Sequence, residues 1–454
     1  MRAIGIAIAV VALIALGFAA WLVFIPGPMA FASGSTVALA DYKAANPTGV
    51  PAELAQGDLI KRGEYLAHAA DCVACHTAPG AQAYAGGFAF NLPGIGTIYS
   101  TNITPDKQTG IGNYTDAQFL DAVKRGVRAD GQNLYPAMSY TTYAYMTDAD
   151  ALAIKAYLFT LPAVSAPAKQ DQLSWPFDQR SLLSVWNAVY LTHDQFQPDP
   201  SQSADWNRGA YLAEAMGHCG ECHTPRNLAY AVNNRSKFAG ALTAGWRAYN
   251  ITSNSDAGIG GWTDVDLTTY LSTGHADGHG GSAGPMGEAT DNSLTFLTSG
   301  DIHALVVYLR SIPPQNSDLP RTVTTPAPSS YKQGVPAEDV NSRGEKIFAG
   351  ACMSCHDWTG VSPTSKYATL TGVRAVNDPS ATNVAQTVIN GVNRQTADGI
   401  IFMPAFGEGY SDDDIAAVSN YVTARMGAEG AHLTAQDVAS LRKQAAQSGG
   451  NNGG

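Results

Sequence analysis

Every cysteine of this 454-residue chain belongs to one recurring motif, Cys-x-x-Cys-His. Because positions i, i+3 and i+4 of a helical turn share a face, the two thiols and the imidazole point the same way. This spacing is the attachment signal for c-type haem, with thioethers to the vinyl groups and histidine on the iron. The sequence therefore predicts three covalent haem c groups. Their predicted attachment residues are Cys72, Cys75, Cys219, Cys222, Cys352 and Cys355, and their predicted proximal ligands are His76, His223 and His356.

Two other uses of paired cysteines fit the sequence less well. Structural zinc needs four ligands, usually as two close pairs. Here each cysteine pair is far from the next, and the remaining histidines show no pairing that completes three sites. A thioredoxin-like redox motif needs a βαβ context, whereas the patterns around these cysteines are helical.

The motifs sit in an internal repeat, which we take as the basis of the domain organisation. Three segments align: RGEYLAHAADCVACHT from Arg62, RGAYLAEAMGHCGECHT from Arg208 and RGEKIFAGACMSCHD from Arg343. Downstream, Thr115 and Thr263 have the position of helix N-caps. Each unit closes with a segment whose apolar residues recur at helical spacing. These closing segments are 151–161, 301–312 and 413–426.

We therefore expect an all-α fold with three haem domains in series behind an N-terminal transmembrane helix. The expected boundaries are a membrane anchor or signal segment at 1–33, domains at 34–196, 197–318 and 339–445, a Pro-rich linker at 319–338 and a disordered tail at 446–454.

The N-terminus predicts where the protein is located. No residue from Ala3 to Ile25 is charged, and these residues would span about 34 Å as a helix against roughly 30 Å of hydrocarbon. With Arg2 on the cytoplasmic side, we expect a single anchor in the inner membrane and the remaining chain on the periplasmic side. A cleaved signal peptide stays open, since Ala30-Phe31-Ala32 resembles a cleavage site.

One methionine in each unit lies between the haem motif and the closing helix. These are Met138, Met286 and Met403, each with a proline next to it or two residues before it. Methionine opposite histidine is the usual electron-transfer ligation and raises the haem potential, so we predict the three as sixth ligands. The alternative is core packing, and Met146 is the rival in the first unit.

Three further features have two interpretations each. His275 and His279, in a Gly-rich loop, are the substitutes should Met286 not bind iron. Asn102 and Asn250 could donate to haem propionates or form turns. The aromatic stretch 174–191 could contact a membrane or another subunit, or pack between domains.

Charge and motifs exclude several functions. The net charge of −11 argues against nucleic acid, whose binding needs Lys and Arg. The chain has no dinucleotide fingerprint, P-loop or His-Glu-x-x-His. A haem peroxidase would need an open sixth position, against which the three methionines argue. We therefore expect an electron-transfer subunit and no catalytic residues.

The motifs RGEYLAHAADCVACHTAPG, GTIYSTNITPD, GIGNYTDAQF, DGQNLYPAMSY and HCGECHTPRN resemble the triple-haem cytochrome c subunits of membrane-bound dehydrogenases from acetic acid bacteria. The similarity extends from about Gly57 to near Met426. It implies three cytochrome c-like domains that take electrons from a catalytic subunit and pass them to ubiquinone in the membrane, which implies a ubiquinone reduction site.

The sequence of the second unit indicates which catalytic subunit is the partner. YLSTGHADGHGGSAGPMGEATDNSL looks most like the aldehyde-oxidising group, which implies a molybdenum aldehyde dehydrogenase with a small iron–sulfur subunit. The alternatives are a quinoprotein alcohol dehydrogenase or a flavin gluconate, fructose or sorbitol dehydrogenase. A terminal oxidase is a further alternative.

Overall fold

The computed structural model describes residues 26–447 except 33, 93, 318–341 and 428–429. We call residues 34–196, 197–317 and 342–447 the first, second and third units. The predicted linker at 319–338 and residues 448–454 of the predicted tail lie outside the described residues.

Helices are the main regular secondary structure of each unit. The α-helices are Leu59–Ala69, Cys72–Cys75, Asp116–Arg125, Tyr140–Tyr143, Asp148–Leu158, Leu182–Tyr190, Ala204–Tyr211, Cys219–His223, Asp264–Thr273, Gly284–Asn292, Ser299–Ser311, Ser342–Ile347, Met353–His356, Thr382–Asn390, Asp412–Met426 and Ala435–Gln447. Leu212–Met216 and Phe348–Cys352 are π-helical turns. Short 3₁₀ turns occur at Leu39–Asp41, Ala52–Leu54, Asn234–Ser236, Leu294–Phe296 and Lys366–Ala368.

The all-α prediction is wrong, because the described residues also contain small antiparallel sheets. The strands are Ala89–Leu92, Gly96–Tyr99, Gln172–Leu173, Ala241–Thr243, Trp246–Ala248, His275–Ala276, Gly280–Gly281, Val392–Thr396 and Gly399–Met403. The last two form a hairpin in register from Val392 opposite Met403 to Thr396 opposite Gly399. Strands of two to five residues are too short for alternation to distinguish them from loops.

The predicted anchor and location are also corrected. Among the described residues, no helix is long and apolar enough to cross a bilayer. The segment for which the transmembrane helix was predicted, Ala3–Ile25, lies outside those residues. The inner-membrane location with a single N-terminal anchor therefore has no support from the structure.

In each unit, a glycine lies where the helix before the haem motif crosses the closing helix, which is Asp148–Leu158, Ser299–Ser311 or Asp412–Met426. A Cβ on Gly63, Gly209 or Gly344 would lie 1.9, 2.0 or 2.2 Å from a carbonyl oxygen of the opposite helix. Those carbonyls belong to Ala153, Ala304 and Ala417. The glycine of the repeated Arg-Gly pair is therefore required, because the two backbones approach too closely for any side chain.

Helix caps follow the sequence prediction. Thr115 forms a capping box with Gln118, and Thr263 forms one with Asp266. Such boxes satisfy amide donors that the first turn leaves free. Both helices end at a glycine in the left-handed conformation, as predicted for a C-cap.

The first two units exchange contacts reciprocally. Tyr65 of the first unit donates to Asp301 Oδ2 of the second at 2.6 Å. Tyr211 of the second unit donates to Asp150 Oδ2 of the first at 2.5 Å. Each tyrosine hydroxyl also accepts from the N-cap amide of the helix that carries the aspartate. The buried apolar side chains of both units form one continuous cluster, with Leu66 and Leu212 among them.

Candidate haem sites

The three motif histidines share one contact. In each, Nδ1 lies at hydrogen-bond distance from a main-chain carbonyl further along the chain. The pairs are His76 with Thr101 at 2.7 Å, His223 with Tyr249 at 2.6 Å and His356 with Ala368 at 2.6 Å. A carbonyl only accepts, so Nδ1 carries the proton and Nε2 keeps a lone pair free for a metal. Burial lowers the pKa of all three imidazoles, which favours the neutral form that binds iron.

The first two motif turns have the same backbone start. Asp71 precedes the turn Cys72–Cys75 with a φ of 50°, and His218 precedes Cys219–His223 with a φ of 40°. Non-glycine residues with positive φ are uncommon and cluster at functional sites. The third motif differs, because Cys352 ends a π turn and the helix begins at Met353. Two of the three motifs are therefore close structural copies.

The thiols are in surroundings that suit thioethers. All six are outside disulfides, and five of them are half-buried. Burial raises the pKa of Cys72 and Cys219 to about 12 and that of Cys222 and Cys352 to about 11. Redox-active or metal-binding cysteines have lowered pKa values instead. Within the described residues, no group of three or more His, Cys, Asp and Glu is arranged to hold a metal ion.

The three predicted methionine ligands are only half-buried. Met138 follows the Tyr135–Pro136 turn, Met286 lies in the helix Gly284–Asn292, and Met403 ends a strand. The rival Met146 is 1% exposed within the apolar core. Met138 also packs against the edge of the apolar core, so the ligation of all three methionines stays a prediction.

The substitutes for Met286 have other partners. His275 lies against Tyr367 of the third unit, with ring centroids 4.6 Å apart. His279 stacks on Trp262 at 3.7 Å, and its Nε2 is 3.6 Å from Asp266. Burial lowers the pKa of both histidines. These contacts account for both residues without an iron.

Comparison with known proteins gives the family. Residues 60–162 match the family model for cytochrome c, and residues 339–422 match that for cytochrome c oxidase, cbb3-type, subunit III. The fructose dehydrogenase cytochrome subunit of Gluconobacter japonicus is 40% identical over 88% of this chain and 85% of its own. The gluconate 2-dehydrogenase cytochrome c subunit of Pantoea cypripedii is 38% identical over 85% and 90%. The cytochrome c subunit of alcohol dehydrogenase (quinone) from Gluconacetobacter polyoxogenes is 34% identical over 86% and 85%.

The chain belongs to the dehydrogenase cytochrome c subunits. Members of this family are electron-transfer components of dehydrogenase complexes, and their cytochrome c domains imply covalent haem c. The residues present fit that group, because each motif offers two thiols outside disulfides beside an imidazole with a free Nε2. The second unit lies outside both family-model matches, yet its histidine geometry repeats that of the first.

In this cytochrome subunit, Asn102 and Asn250 form turns. Asn102 Oδ1 accepts from the backbone N–H and hydroxyl of Thr104 at 2.9 and 2.7 Å, and Asn250 does the same with Thr252 at 2.8 and 2.7 Å. Both amide groups donate to main-chain carbonyls across the loop. Their donors are therefore already used, which favours the turn interpretation over propionate binding.

A buried ion pair beside the second motif was missed by the sequence analysis. Lys237 Nζ lies 2.6 Å from Glu214, with side chains 6% and 4% exposed, and Tyr308 donates to the same carboxylate at 2.7 Å. A Cβ on Gly220 would lie 2.8 Å from Lys237 Nζ, so the lysine fills the space between the two cysteines. No motif marks such a residue in sequence.

The aromatic stretch 174–191 has an inner and an outer side, and its contact with a membrane or another subunit stays a prediction. Its helix Leu182–Tyr190 packs between the first two units, where Trp186 Nε1 donates to the carbonyl of Ala229 at 2.8 Å. Its outer side exposes Trp175 by 80% and Val185 by 67%. One face of the segment is thus internal packing, and the other is an apolar surface.

Proposed function

We propose that this chain is the three-haem electron-transfer subunit of a dehydrogenase that oxidises alcohol or sugar hydroxyl groups, and that it delivers the electrons to ubiquinone. The observation that carries the proposal is the recurrence, in all three units, of a Cys-x-x-Cys-His turn whose histidine Nδ1 meets a main-chain carbonyl. Haem c bound there supplies a one-electron iron couple.

The chain's own residues have defined roles in this proposal. The six motif cysteines attach the groups, and His76, His223 and His356 are the proximal ligands. The carbonyl bonds hold each imidazole in one tautomer and orientation. Met138, Met286 and Met403 would each supply a thioether to one iron, which would close the site to external ligands and raise its potential.

The choice of catalytic partner follows the relatives. Fructose, gluconate and alcohol, named for the relatives above, share a hydroxyl-bearing carbon. They support a hydroxyl-oxidising partner better than the aldehyde dehydrogenase predicted from the second unit. The iron–sulfur subunit belongs to that aldehyde alternative and is not part of the proposal.

A terminal-oxidase role has less support. The oxidase family model matches residues 339–422, within the third unit, whereas the dehydrogenase cytochrome subunits match more than four fifths of the chain. The oxidase likeness therefore describes one cytochrome domain and not the arrangement of all three.

The first test is substrate-driven reduction of the purified native complex. We expect three haems per chain by pyridine haemochrome assay, and rapid haem reduction by fructose, gluconate or ethanol but not by acetaldehyde. Reoxidation by a water-soluble ubiquinone analogue should follow. Reduction by acetaldehyde alone would restore the aldehyde partner, and a chain that dithionite reduces but no substrate reduces would contradict the dehydrogenase role.

The methionine assignment has its own test. Met138→Ala should open one haem to carbon monoxide in the reduced protein, since the iron loses its sixth ligand. Met146→Leu is the matched control, because Met146 is buried in the core. Carbon monoxide binding to the unaltered protein would contradict six-coordinate haems and favour a peroxidase-like activity.

A further inference from the structure

An arginine of the third unit is inserted into the second unit. Arg374 Nη1 donates to the carbonyl of Asn250 at 3.3 Å, and Nη2 donates to that of Ala257. The guanidinium lies over the ring of Tyr249, 4.4 Å from its centroid. Burial lowers the pKa of Arg374 to about 10, so it remains a cation at neutral pH.

Tyr249 connects this arginine to the second haem motif. Its carbonyl lies 2.6 Å from His223 Nδ1, and its hydroxyl donates to Asp378 of the third unit at 3.1 Å. Arg374 therefore packs on the residue whose carbonyl holds the imidazole of His223.

Buried N–H donors without a hydrogen-bond partner lie around Arg374 and Tyr249. Arg374 Nε and Trp262 Nε1 are buried and have no hydrogen-bond partner within the described part of the chain. Arg247 Nε has none there either, but it lies 3.7 Å from Asp378 Oδ2 as an ion pair. Arg247 lies two residues before Tyr249, and Trp262 stacks on His279, whose pKa is also affected by Arg374. Buried donors are nearly always paired in folded proteins. The N–H groups of Arg374 and Trp262, which lack any such partner, indicate an anionic acceptor that completes the site.

We propose that Arg374 is a positioning residue for the haem of the second unit, that it binds a propionate of that haem, and that its charge raises the haem's reduction potential. The proposal rests on the function proposed above. Oxidised haem iron carries one more positive charge than reduced iron, so a nearby buried cation disfavours the oxidised state. Docking of the third unit thereby sets the potential of the second.

The test is a potentiometric titration of the full-length haem-loaded chain, followed by visible absorption. Arg374→Met should lower the reduction equilibrium constant of one haem component about tenfold, which is about 59 mV for a one-electron couple. Arg374→Lys, which keeps the charge, should retain most of the potential. Asp378→Asn removes the neighbouring negative charge and should shift the same component upward.

Arg394→Met is the matched control. Arg394 also crosses from the third unit to the second, but it pairs with Asp291 at 2.7 Å, so its loss weakens docking without removing the charge beside His223. An equal downward shift in Arg394→Met would overturn the proposal, as would unchanged potentials in Arg374→Met. Should Arg374→Met fail to fold, absence of the upward shift in Asp378→Asn overturns it. Fewer than three haem components in the unaltered chain would instead contradict the proposed function.

Discussion

The first and second units exchange two tyrosines that reach each other's closing helices, whereas the third unit inserts two arginines into the second. Tyr65 and Tyr211 lie in the apolar cluster that both units share, or next to it. Arg374 and Arg394 bind carbonyls and carboxylates of the second unit instead. The third unit keeps its own apolar clusters.

One residue of the repeat accounts for much of this difference. All three closing helices carry an aspartate at the same position, three residues after the N-cap: Asp150, Asp301 and Asp414. The tyrosine that reaches such an aspartate in the first two units is replaced by Lys346 in the third. The third unit therefore cannot join the exchange. We infer that the first two units unfold as one block to which the third is added by polar contacts.

The largest effect is expected where a buried charge loses its partner. Asp301 accepts from Arg208 Nε and Nη2 at 2.7 and 2.6 Å and from Tyr65. Asp301→Ala leaves the buried guanidinium of Arg208 without its counter-charge, so we expect the free energy of unfolding to fall by about 3–5 kcal/mol. Amide hydrogen exchange should show it in both Leu59–Ala69 and Ser299–Ser311.

The control for this variant is Asp264→Ala, which removes a surface partner of Arg310 in the same unit and should leave exchange unchanged. If Asp301→Ala loosens only the second unit, the first two units are separate and the comparison with the third unit fails.

Next in size are the two halves of the reciprocal contact. Burial raises the pKa of Tyr65 and Tyr211, with the aspartates adding to it, so both hydroxyls stay protonated donors. Tyr65→Phe and Tyr211→Phe should each cost about 1.5–3 kcal/mol, as for hydrogen bonds to charged groups. Denaturant unfolding, followed by amide hydrogen exchange in both units, measures this loss of stability. Tyr190→Phe, whose hydroxyl makes a 3.4 Å bond to Asn227, should be neutral, and an equal loss there would point to a general tyrosine effect.

Local patterns in the sequence predicted the helices, caps and motif turns. Thr115 and Gly126 bound a helix for reasons contained within a dozen residues. The hairpin Val392–Met403 was missed because its two turn residues are Ala397 and Asp398, between Thr396 and Gly399, and not one of the Asn-Gly or Asp-Gly pairs that signal a hairpin. Its apolar Ile400 and Phe402 are 71% and 68% exposed, so the strand lacks the alternation of a half-buried one.

The residues that surround the haem motifs could not be predicted from the sequence, for a different reason. Thr101, Tyr249 and Ala368 support the histidines through carbonyl oxygens, which every residue possesses, so no residue type marks them. Tyr65 and Asp301 are 236 residues apart. The repeat predicts that each tyrosine lies on a first helix, but not that it faces the other unit.

The polar contact of the third unit should be weaker and local. Arg394 donates to Asp291 at 2.7 Å and to the carbonyl of Ser282 at 3.1 Å. Asp291→Asn removes the counter-charge of Arg394 but keeps its bond to the carbonyl of Ser282. We therefore expect the free energy of unfolding to fall by about 1.5 kcal/mol, the lower end for charged hydrogen bonds. Hydrogen exchange should rise in Thr382–Asn390 and not in Ala204–Tyr211. Asp398→Asn, which breaks a surface pair with Lys366, serves as the control, and a loss spread over all units would mean that the third belongs to the same block.

The smallest effect is expected at the third copy of the repeat's arginine. Arg343 pairs with Asp414 at 2.7 Å, but its side chain is 54% exposed, whereas Arg208 is 12% exposed in its pair with Asp301. Water screens the exposed pair, so Arg343→Ala should cost about 0.5 kcal/mol or less, measured by exchange in Asp412–Met426. The same arginine thus serves as a buried anchor in one unit and a surface charge in another. A loss near that of Asp301→Ala would show that the third unit depends on its ion pair as strongly as the second, and that Lys346 does not explain the difference.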